Sequence, residues 1–337
     1  MKVLGIESSC DETAAAVVDG GLGDRPHLRS NIVSSQVDTH RRFGGVVPEV
    51  ASREHVARIA EVAARSIEAS GGGEIDAVAV TRGPGLVGAL LVGMQFAKGF
   101  ALARGLPWIG VNHLEGHLSA ALLSEAPPPY PHVALIASGG HTQTYWVEAF
   151  GRYQVIGGTR DDAAGEAFDK VAKMLGLGYP GGVEIDRLAK DGNPHAVHLP
   201  RAMDSRKNDD FSFSGLKTAA AAELAKRRPL KGADLADFCA SLQEAICDIL
   251  TKKAVRAARK RGARGVVLAG GVAANSRLRE LLVERCAAKN LEAFLPSRAL
   301  CTDNAALIAA GGWLRLVRGE RRDWSTSVRA RLPLDVE

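Results

Sequence analysis

Several features that would assign this chain to a specialised class are missing. None of its five cysteines lies in a C-x-x-C pair, and the odd count argues against a disulfide-stapled secreted domain. The longest apolar stretch, 83–102, contains Pro84, several glycines and Lys98, so no membrane span is expected. The N-terminus turns polar after six residues and does not resemble a signal peptide. These absences predict a reduced, cytoplasmic protein that does not enter a membrane.

Glycine, in contrast, is abundant. The chain has 37 glycines in 337 residues, and they cluster between apolar runs. This arrangement is typical of the tight strand-to-helix turns of α/β proteins. The chain length favours two domains. The net charge of +5 permits a polyanionic partner such as RNA without requiring one.

The two halves of the chain repeat one plan. An apolar strand, a short polar turn and a returning strand occupy 2–19, and the same order recurs at 132–148. Each half continues with an apolar strand, a glycine turn, a long amphipathic helix and a further strand. This duplication resembles the α/β actin-like ATPase fold, with lobes at 1–130 and 131–337 around a nucleotide cleft. Two Rossmann-type domains are the alternative, but neither half has G-x-G-x-x-G after its first strand.

Two short turns are candidates for phosphate chemistry. The turn SGGHT (138–142) joins two strands, and its glycines let the main chain approach an anion. An ordinary hairpin turn is the alternative. The turn SSCDET (8–13) places two carboxylates beside three hydroxyls. Such crowding is costly unless a metal or a reacting group is near.

Candidate nucleoside-binding residues fall in two later segments. Asn275 follows a glycine turn and has the donors and acceptors to bind a purine, although helix N-capping is an equal alternative. Asp169 and Asp186 flank a Pro-Gly-Gly turn and are suited to ribose hydroxyls. Asp161 and Asp162 are expected only to complement a helix dipole.

The segment VNHLEGHLSA (111–120) carries two histidines four residues apart. On a helix His113 and His117 project from one face and can reach one metal ion, whereas Glu115 points about 200° away. The segment therefore lacks the geometry of the protease signature H-E-x-x-H. A purely structural histidine pair is the alternative. Asp303 precedes an apolar helix, where N-capping is its simplest role; two imidazoles and one carboxylate would suit Fe²⁺ or Zn²⁺.

Ten motifs, in order from residue 4 to about residue 309, resemble the bacterial branch of the TsaD family. They are GIESSCDET, FGGVVPEVASREH, TRGPGLVGALLVG, NHLEGH, ASGGHTQ, DDAAGEAFDK, YPGG, FSFSGLKT, LAGGVAANSRLR and CTDNAA. The resemblance implies transfer of a threonylcarbamoyl group from threonylcarbamoyl-AMP to N6 of an adenosine in tRNA. The target adenosine is 3′-adjacent to the anticodon, in tRNAs that read codons beginning with A.

The resemblance also assigns roles to individual residues. It implies that His113, His117 and Asp303 hold one divalent metal per subunit, with Fe²⁺ favoured over Zn²⁺, and that Glu12 lies at the reacting centre. The substrate-binding residues it implies are Ile136, Ala137, Ser138, Gly139, Gly140, Asp169, Gly182, Asp186 and Asn275.

Partners follow from the same resemblance. They are tRNA, threonylcarbamoyl-AMP, a TsaB-like paralogue and a TsaE-like ATPase. Basic residues that could contact tRNA are concentrated in 252–264 and 315–322, although a solvated helix face is the commoner meaning of such runs. The alternative functions are a metal-dependent glycoprotease, a phosphotransferase of the sugar-kinase type and a non-catalytic scaffold.

Overall fold

The computed structural model describes residues 1–21, 23–205, 207–227 and 229–334. The strands in this part of the chain are β1 (Lys2–Glu7), β2 (Glu12–Asp19), β3 (His27–Ser35), β4 (Ala77–Gly83), β5 (Trp108–Asn112), β6 (His132–Ala137), β7 (Thr142–Ala149), β8 (Arg152–Gly158), β9 (Gly265–Ala269) and β10 (Glu292–Phe294). The helices are α1 (Val37–Arg41), α2 (Pro48–Ala69), α3 (Val87–Arg104), α4 (His113–Ser119), α5 (Ala164–Met174), α6 (Gly181–Ala189), α7 (Ser214–Arg227), α8 (Gly232–Arg261), α9 (Ser276–Ala287) and α10 (Ala305–Val317).

The strands form two sheets of one design. The strand order is β3-β2-β1-β4-β5 in the first sheet and β10-β9-β6-β7-β8 in the second. In each sheet the first three strands along the chain pair antiparallel, and the last two are added in parallel. The duplication predicted from the sequence is therefore present in the sheets. Strands β3 and β8 are part of this design but were not predicted.

The chain folds into two compact units. The first contains Met1–Pro127 and Asp303–Glu337, and the second contains Pro128–Thr302. The predicted lobes, 1–130 and 131–337, differ from these units in the C-terminal segment. That segment belongs with the first sheet, although it follows the second in sequence.

Helix α10 explains this difference. Nearly all of its side chains are buried, and it packs against β1, β2 and β4 of the first sheet. The contact is close because glycines lie in it. A Cβ atom added at Gly5 would lie 2.7 Å from Cβ of Ala309, and one added at Gly312 would lie 2.2 Å from Cβ of Ala79. An apolar helix that fits a sheet this closely is held there by burial.

The second unit is built around α8. This 30-residue helix buries one long face, including Phe238, Leu242, Ile246 and Leu250, against α6, α9 and the second sheet. Burial of these side chains fixes the position of α6 and α9 relative to β6 and β9. Among the described residues, no helix combines the length and the apolar character that crossing a membrane requires.

A buried ion pair joins α4 to α10. Arg315 Nε donates to Oε2 of Glu115 at 2.6 Å, and its Nη2 donates to Oε1 at 3.1 Å. Glu115 is fully buried, and Arg315 is 9% exposed. Arg315 also contacts Glu320 at 2.7 Å. Because both charges are removed from water, each depends on the other for compensation.

We expect Glu115→Gln to lower the free energy of unfolding by about 3–5 kcal/mol, because it leaves the Arg315 guanidinium buried without its main counter-charge. Equilibrium denaturation in urea measures this change. The double variant Glu115→Leu/Arg315→Met removes both charges and is expected to recover most of the loss. A single variant as stable as the wild type would contradict this account of the pair.

Candidate metal centre and nucleotide-binding residues

His113 and His117 lie on one face of α4, as their spacing predicts. Their ring centroids are 4.7 Å apart, and their exposed fractions are 7% and 1%. The helix begins directly after β5, and Asn112 caps it by accepting a hydrogen bond from the amide of Leu114 at 2.9 Å. Asn112 Nδ2 donates to the carbonyl of Leu332 at 3.1 Å. The start of the helix, and with it the histidine pair, is therefore fixed.

Asp303 lies beside both histidines. Its Oδ1 is 3.6 Å from Nε2 of His113 and 3.2 Å from Nε2 of His117. Ligand atoms that each lie about 2.1 Å from one ion are roughly 3.0–3.4 Å apart at octahedral or tetrahedral angles, so the observed separations are close to those of a shared ion. The N-cap of α10 is Asn304, which accepts from the amide of Ala306 at 3.0 Å. Capping is therefore not the role of Asp303.

The environment of His117 tests whether a metal fits. His117 is only 1% exposed, and among the described residues neither of its ring nitrogens makes a hydrogen bond; its Nε2 is 3.2 Å from Asp303 but without hydrogen-bond geometry. A buried polar atom without a partner is costly. A cation bound by Nε2 of His117 and the carboxylate of Asp303 would remove that cost at Nε2. The group formed by His113, His117 and Asp303 is thus compatible with a divalent metal.

A second carboxylate orients His113. Nδ1 of His113 lies 3.0 Å from Oε2 of Glu7 and 3.2 Å from Oγ of Ser9, which leaves Nε2 to face Asp303. Burial opposes a charge on His113, but the carboxylates of Asp303 and Glu7 outweigh it and raise the pKa to about 9. The two carboxylates thus stabilise the protonated form of His113, and a metal that binds this histidine must displace a proton from it.

Glu7 was not predicted to have a role in the site. Its carboxylate is 1% exposed and also accepts from Oγ1 of Thr81 at 2.8 Å and from the amide of Ser9. Burial alone would raise the pKa of Glu7, but the charge and hydrogen bond of His113 lower it. Carboxylates that hold the second nitrogen of a ligating histidine are common in metal sites. The available signal was a glutamate at the end of the otherwise apolar strand KVLGIE.

Glu12 lies at the start of β2. Its Oε1 accepts from Oγ of Ser35 at 3.2 Å. Burial raises its pKa, and the negative charges of Asp11 and Asp303 raise it further. A carboxylate with a raised pKa accepts a proton more readily than an exposed glutamate does.

The predicted phosphate turn closes the hairpin between β6 and β7. The amide of Ser138 donates to the carbonyl of His141 at 2.8 Å, and Oγ of Ser138 accepts from the amide of His141 at 3.1 Å. Gly139 and Gly140 are exposed at the tip. Within the described residues their amides donate no hydrogen bond. The turn therefore presents two main-chain donors that suit an anion.

Glycines bring two neighbouring segments against this turn. Ile136 and Ala137 are fully buried at the end of β6. A Cβ atom added at Gly270, after β9, would lie 2.4 Å from the carbonyl oxygen of Ala137. The amide of Gly165, at the start of α5, donates to the carbonyl of Ser138 at 3.1 Å. The ends of β6, β9 and the beginning of α5 thus meet at the predicted phosphate turn.

The predicted ribose-binding acids, Asp169 and Asp186, lie on the helices that follow the predicted phosphate turn in the chain. Asp169 accepts from the amide of Gly181 at 2.7 Å, directly beside Gly182. Asp186 accepts from Oγ of Ser276 at 2.6 Å and from its amide at 3.2 Å. The two acids therefore connect α5 to α6 and α6 to α9. These contacts place Asp169, Gly182 and Asp186 at the junction of α5, α6 and α9.

Asn275 caps α9. Its Oδ1 accepts from the amide of Leu278 at 3.0 Å, and its Nδ2 donates to Oε1 of Gln243 at 2.7 Å. N-capping, one of the two interpretations of the sequence, is therefore present. One hydrogen of Nδ2 remains for a ligand, so capping and purine binding are compatible.

The basic residues that could contact tRNA are largely engaged within their own units. Lys252 and Arg256 form ion pairs at 2.6 and 2.8 Å with acidic residues of the loop before α7. Lys253 is 1% exposed, and its Nζ donates to the carbonyl of Asp210. Arg315 pairs with Glu115. Lys253 and Arg315 therefore do not belong to a solvated face, whereas Arg259, Lys260, Arg261 and Arg264 are exposed at the end of α8 and the segment after it. Whether any of them contacts tRNA stays a prediction.

Glu115 does not serve as the general base that the glycoprotease alternative would require of the H-E-x-x-H type of site. Glu115 is directed to Arg315 and not to the histidines, as its position on the helix predicts. A base that activates a metal-bound water must lie within hydrogen-bond reach of that water.

Solved structures of similar fold include full-length HypF in its phosphate- and nucleotide-bound form. That protein is 14% identical, with a TM-score of 0.59 over 94% of this chain and 46% of its own. The activator of the 2-hydroxyisocaproyl-CoA dehydratase from Clostridium difficile is 15% identical, with a TM-score of 0.55 over 96% of this chain and 100% of its own. At such identities the likeness shows the fold alone. The predicted α/β actin-like ATPase fold is confirmed.

Sequence relatives are much closer. The tRNA N6-adenosine threonylcarbamoyltransferase of Anaeromyxobacter dehalogenans (strain 2CP-C) is 57% identical over 323 residues, which are 95% of this chain and 96% of that protein. The enzyme of the same name from Syntrophus aciditrophicus is 51% identical over 339 residues, which are 100% and 98% of the two chains. The model of the family described as "TsaD: tRNA N6-adenosine threonylcarbamoyltransferase" matches residues 27–310. The chain therefore belongs to the TsaD family.

Proposed function

We propose that this protein transfers the threonylcarbamoyl group of threonylcarbamoyl-AMP to N6 of the adenosine 3′-adjacent to the anticodon, in tRNAs that read codons beginning with A, and releases AMP. The observation that carries the proposal is the 57% identity, over 95% of the chain, to a tRNA N6-adenosine threonylcarbamoyltransferase. The metal-compatible group of His113, His117 and Asp303 and the amides of Gly139 and Gly140, which donate no hydrogen bond within the described residues, support it. A tRNA substrate suits the expectation of a cytoplasmic protein.

The second unit is suited to hold the adenylate. The amides of Gly139 and Gly140 can donate to its phosphate, and the carboxylates of Asp169 and Asp186 can accept from ribose hydroxyls. The remaining Nδ2 hydrogen of Asn275 can contact the base. A mixed carbamoyl–phosphate anhydride is already activated, so the main tasks of the protein are positioning and stabilisation of developing charge.

The first unit is suited to the transfer itself. The N6 nitrogen of adenine attacks the carbamoyl carbon, the C–N bond forms, and the bond from that carbon to the phosphate oxygen breaks, so that AMP leaves with the electron pair. The attacking amine must lose a proton. Glu12 accepts that proton in our proposal, for which its carboxyl group must first be ionised. A cation held by His113, His117 and Asp303 would offset the negative charge of Asp303, which is one of the causes of the raised pKa of Glu12.

His113, His117 and Asp303 would hold the metal. Two imidazoles and one carboxylate that leave positions open are typical of Fe²⁺ sites, so we favour Fe²⁺ over Zn²⁺. When bound, the metal supplies Lewis-acid stabilisation to an oxygen of the substrate. Glu7 keeps Nε2 of His113 directed at Asp303 by holding Nδ1.

We further propose that the protein works with a TsaB-like paralogue and a TsaE-like ATPase, on family grounds. Purified full chain, threonylcarbamoyl-AMP, these partners and an unmodified tRNA transcript provide the direct test. Mass spectrometry of the digested tRNA should reveal threonylcarbamoyladenosine. A transcript with guanosine in place of the target adenosine is the matched control and should remain unmodified. If no modified nucleoside forms with metal and active partners present, the proposed function is wrong.

We expect His117→Ala to abolish stoichiometric metal binding, because it removes a ligand that cannot be replaced from its buried surroundings. Glu7→Gln should weaken metal affinity by about 10- to 100-fold, since it alters only the group behind His113. Metal content by mass spectrometry and titration with Fe²⁺ under anaerobic conditions measure both effects. His27→Ala removes an exposed histidine of the same unit and should bind metal normally. Normal metal content in His117→Ala would count against the site.

We expect Glu12→Gln to lower kcat for tRNA modification by about 100- to 10,000-fold, because the side chain keeps its shape but no longer accepts a proton. Metal content and tRNA affinity should be unchanged. Single-turnover kinetics with preformed threonylcarbamoyl-AMP measure the chemical step. Glu49→Gln, on the exposed start of α2, is the control. A rate for Glu12→Gln within a few-fold of the wild type would remove Glu12 from the proposed role.

A further inference from the structure

Two arginines and a phenylalanine are exposed together in the segment RRFGG, residues 41–45, which begins at the last residue of α1 and which we call the RRFGG loop. Phe43 is 48% exposed, and the guanidinium of Arg42 lies 4.8 Å from the centre of its ring. In the part of the chain that the structure describes, Arg41 pairs with exposed Asp38 at 3.0 Å, and their side chains are 59% and 89% exposed. An exposed ion pair of this kind contributes little to stability. The loop therefore presents two cations and an aromatic face to solvent.

These side chains match the chemistry of unpaired RNA. Bases that are splayed out of a loop stack on aromatic rings and on guanidinium planes, and arginines bind the adjoining phosphates. The double positive charge favours a polyanion over an apolar protein surface. Lys252, Lys253 and Arg256 of α8 are engaged with the loop before α7. In the RRFGG loop, by comparison, Arg42 lies over the ring of Phe43, and the ion pair of Arg41 is more exposed than those of α8.

The loop is connected to the interior by a chain of buried polar side chains. His40, directly before the loop, is fully buried, and its Nδ1 accepts from the amide of Val47 at 3.3 Å. Nε2 of His40 lies 3.1 Å from Oε1 of Gln36. Nε2 of Gln36 lies 3.4 Å from Nδ1 of His55, and Nε2 of His55 lies 3.0 Å from the carbonyl oxygen of Cys10.

The main-chain groups at the two ends of this chain of contacts fix the directions of the hydrogen bonds there. The amide of Val47 can only donate, so Nδ1 of His40 carries no proton and its Nε2–H donates to Oε1 of Gln36. The amide nitrogen of Gln36 then faces both the carbonyl of Ala51 and Nδ1 of His55, each at 3.4 Å, and Oγ1 of Thr13 lies 2.7 Å from the same Nδ1 of His55. The carbonyl of Cys10 can only accept, so Nε2–H of His55 donates to it. Burial lowers the pKa of His55, in keeping with this neutral form.

The chain ends at the turn that carries Glu12. Cys10 and Glu12 belong to the same turn, and the neighbouring residues hold it as well. The amide of Gln36 donates to the carbonyl of Asp11 at 3.0 Å, and Oγ of Ser35 donates to Glu12 at 3.2 Å. A displacement of α1 or of the loop that follows it would therefore change the position of the turn that carries Glu12.

We infer that the RRFGG loop binds unpaired nucleotides of the tRNA substrate, and that the chain His40–Gln36–His55 makes Gln36 a positioning residue that couples this binding to the turn of Glu12. The inference rests on the proposed function for the identity of the RNA and of the reaction. The binding part does not require turnover, so it can be tested even if the proposed function fails.

The binding test uses the full chain and an unmodified tRNA transcript, followed by fluorescence anisotropy. Arg41→Ala/Arg42→Ala should weaken binding at least about tenfold at 0.1 M salt and make the log–log salt dependence shallower by about 1.5 to 2. Phe43→Ala should weaken binding about tenfold through loss of stacking. The control is Arg58→Ala/Arg65→Ala, which removes the same charge from exposed, acid-paired positions on α2. It should bind within about twofold of the wild type.

The coupling test follows modification kinetics with the partner proteins. Gln36→Leu should lower kcat about tenfold or more, while KM for tRNA and metal content stay unchanged; a merely structural defect would also change stability and metal content. Phe43→Ala should raise KM and also lower kcat. In the double variant Gln36→Leu/Phe43→Ala, kcat should be no lower than in Gln36→Leu alone, because Gln36→Leu already removes the coupling between the loop and the turn of Glu12. Phe43→Ala alone tests the coupling if Gln36→Leu does not fold.

Each outcome decides one part. Loop variants that bind tRNA like the wild type overturn the RNA surface, and if they instead lose the TsaB-like or TsaE-like partner, the loop is a protein contact. Additive kcat losses overturn the coupling. A wild-type chain that forms no modified nucleoside overturns the proposed function, while the anisotropy measurements still decide whether the loop binds RNA.

Discussion

The packing of α10 on the first sheet is the constraint on which the candidate metal centre depends. Asp303 stands just before this helix, and the histidines stand on α4. The buried pair of Glu115 and Arg315, 200 residues apart in sequence, fixes the two helices to each other. Small residues let α10 approach the sheet closely, so its start cannot shift without disturbing the contacts at Gly5 and Gly312. The ligand geometry is thus set by packing that lies outside the site.

The sequence predicted the parts of this arrangement that follow from local periodicity. The spacing of His113 and His117 implies a shared helical face, and the same geometry directs Glu115 away from them. The repeated order of strand, turn and strand predicted two sheets of one design. Asp303 was chosen only through a family resemblance, because nothing local distinguishes a ligand from an N-cap. Only the structure shows that Asn304 performs the capping.

The errors also have a physical origin. The C-terminal segment joins the first unit because an apolar helix buries its surface where a complementary sheet exists, and sequence order does not reveal that sheet. One residue of the basic run on α8 departs from the expectation that charged side chains are exposed. Lys253 is buried instead, with its ammonium group bonded to a carbonyl. Glu7 was not predicted because its role depends on His113, which lies beside it only in the folded structure.

The turn 8–13 carries several polar groups, and hydrogen bonds from two sides hold its backbone in position. On one side Ser9 contacts His113, and the amide of Ser9 donates to Glu7. On the other side His55 donates to the carbonyl of Cys10. The first set of contacts changes its charge when a metal replaces the proton of the histidine, whereas the second consists of neutral groups with one allowed direction. The contacts with Ser9 can therefore adjust when a cation binds, while the hydrogen bond from His55 holds the backbone of the turn beside Glu12 in place. A proton acceptor requires such a fixed position.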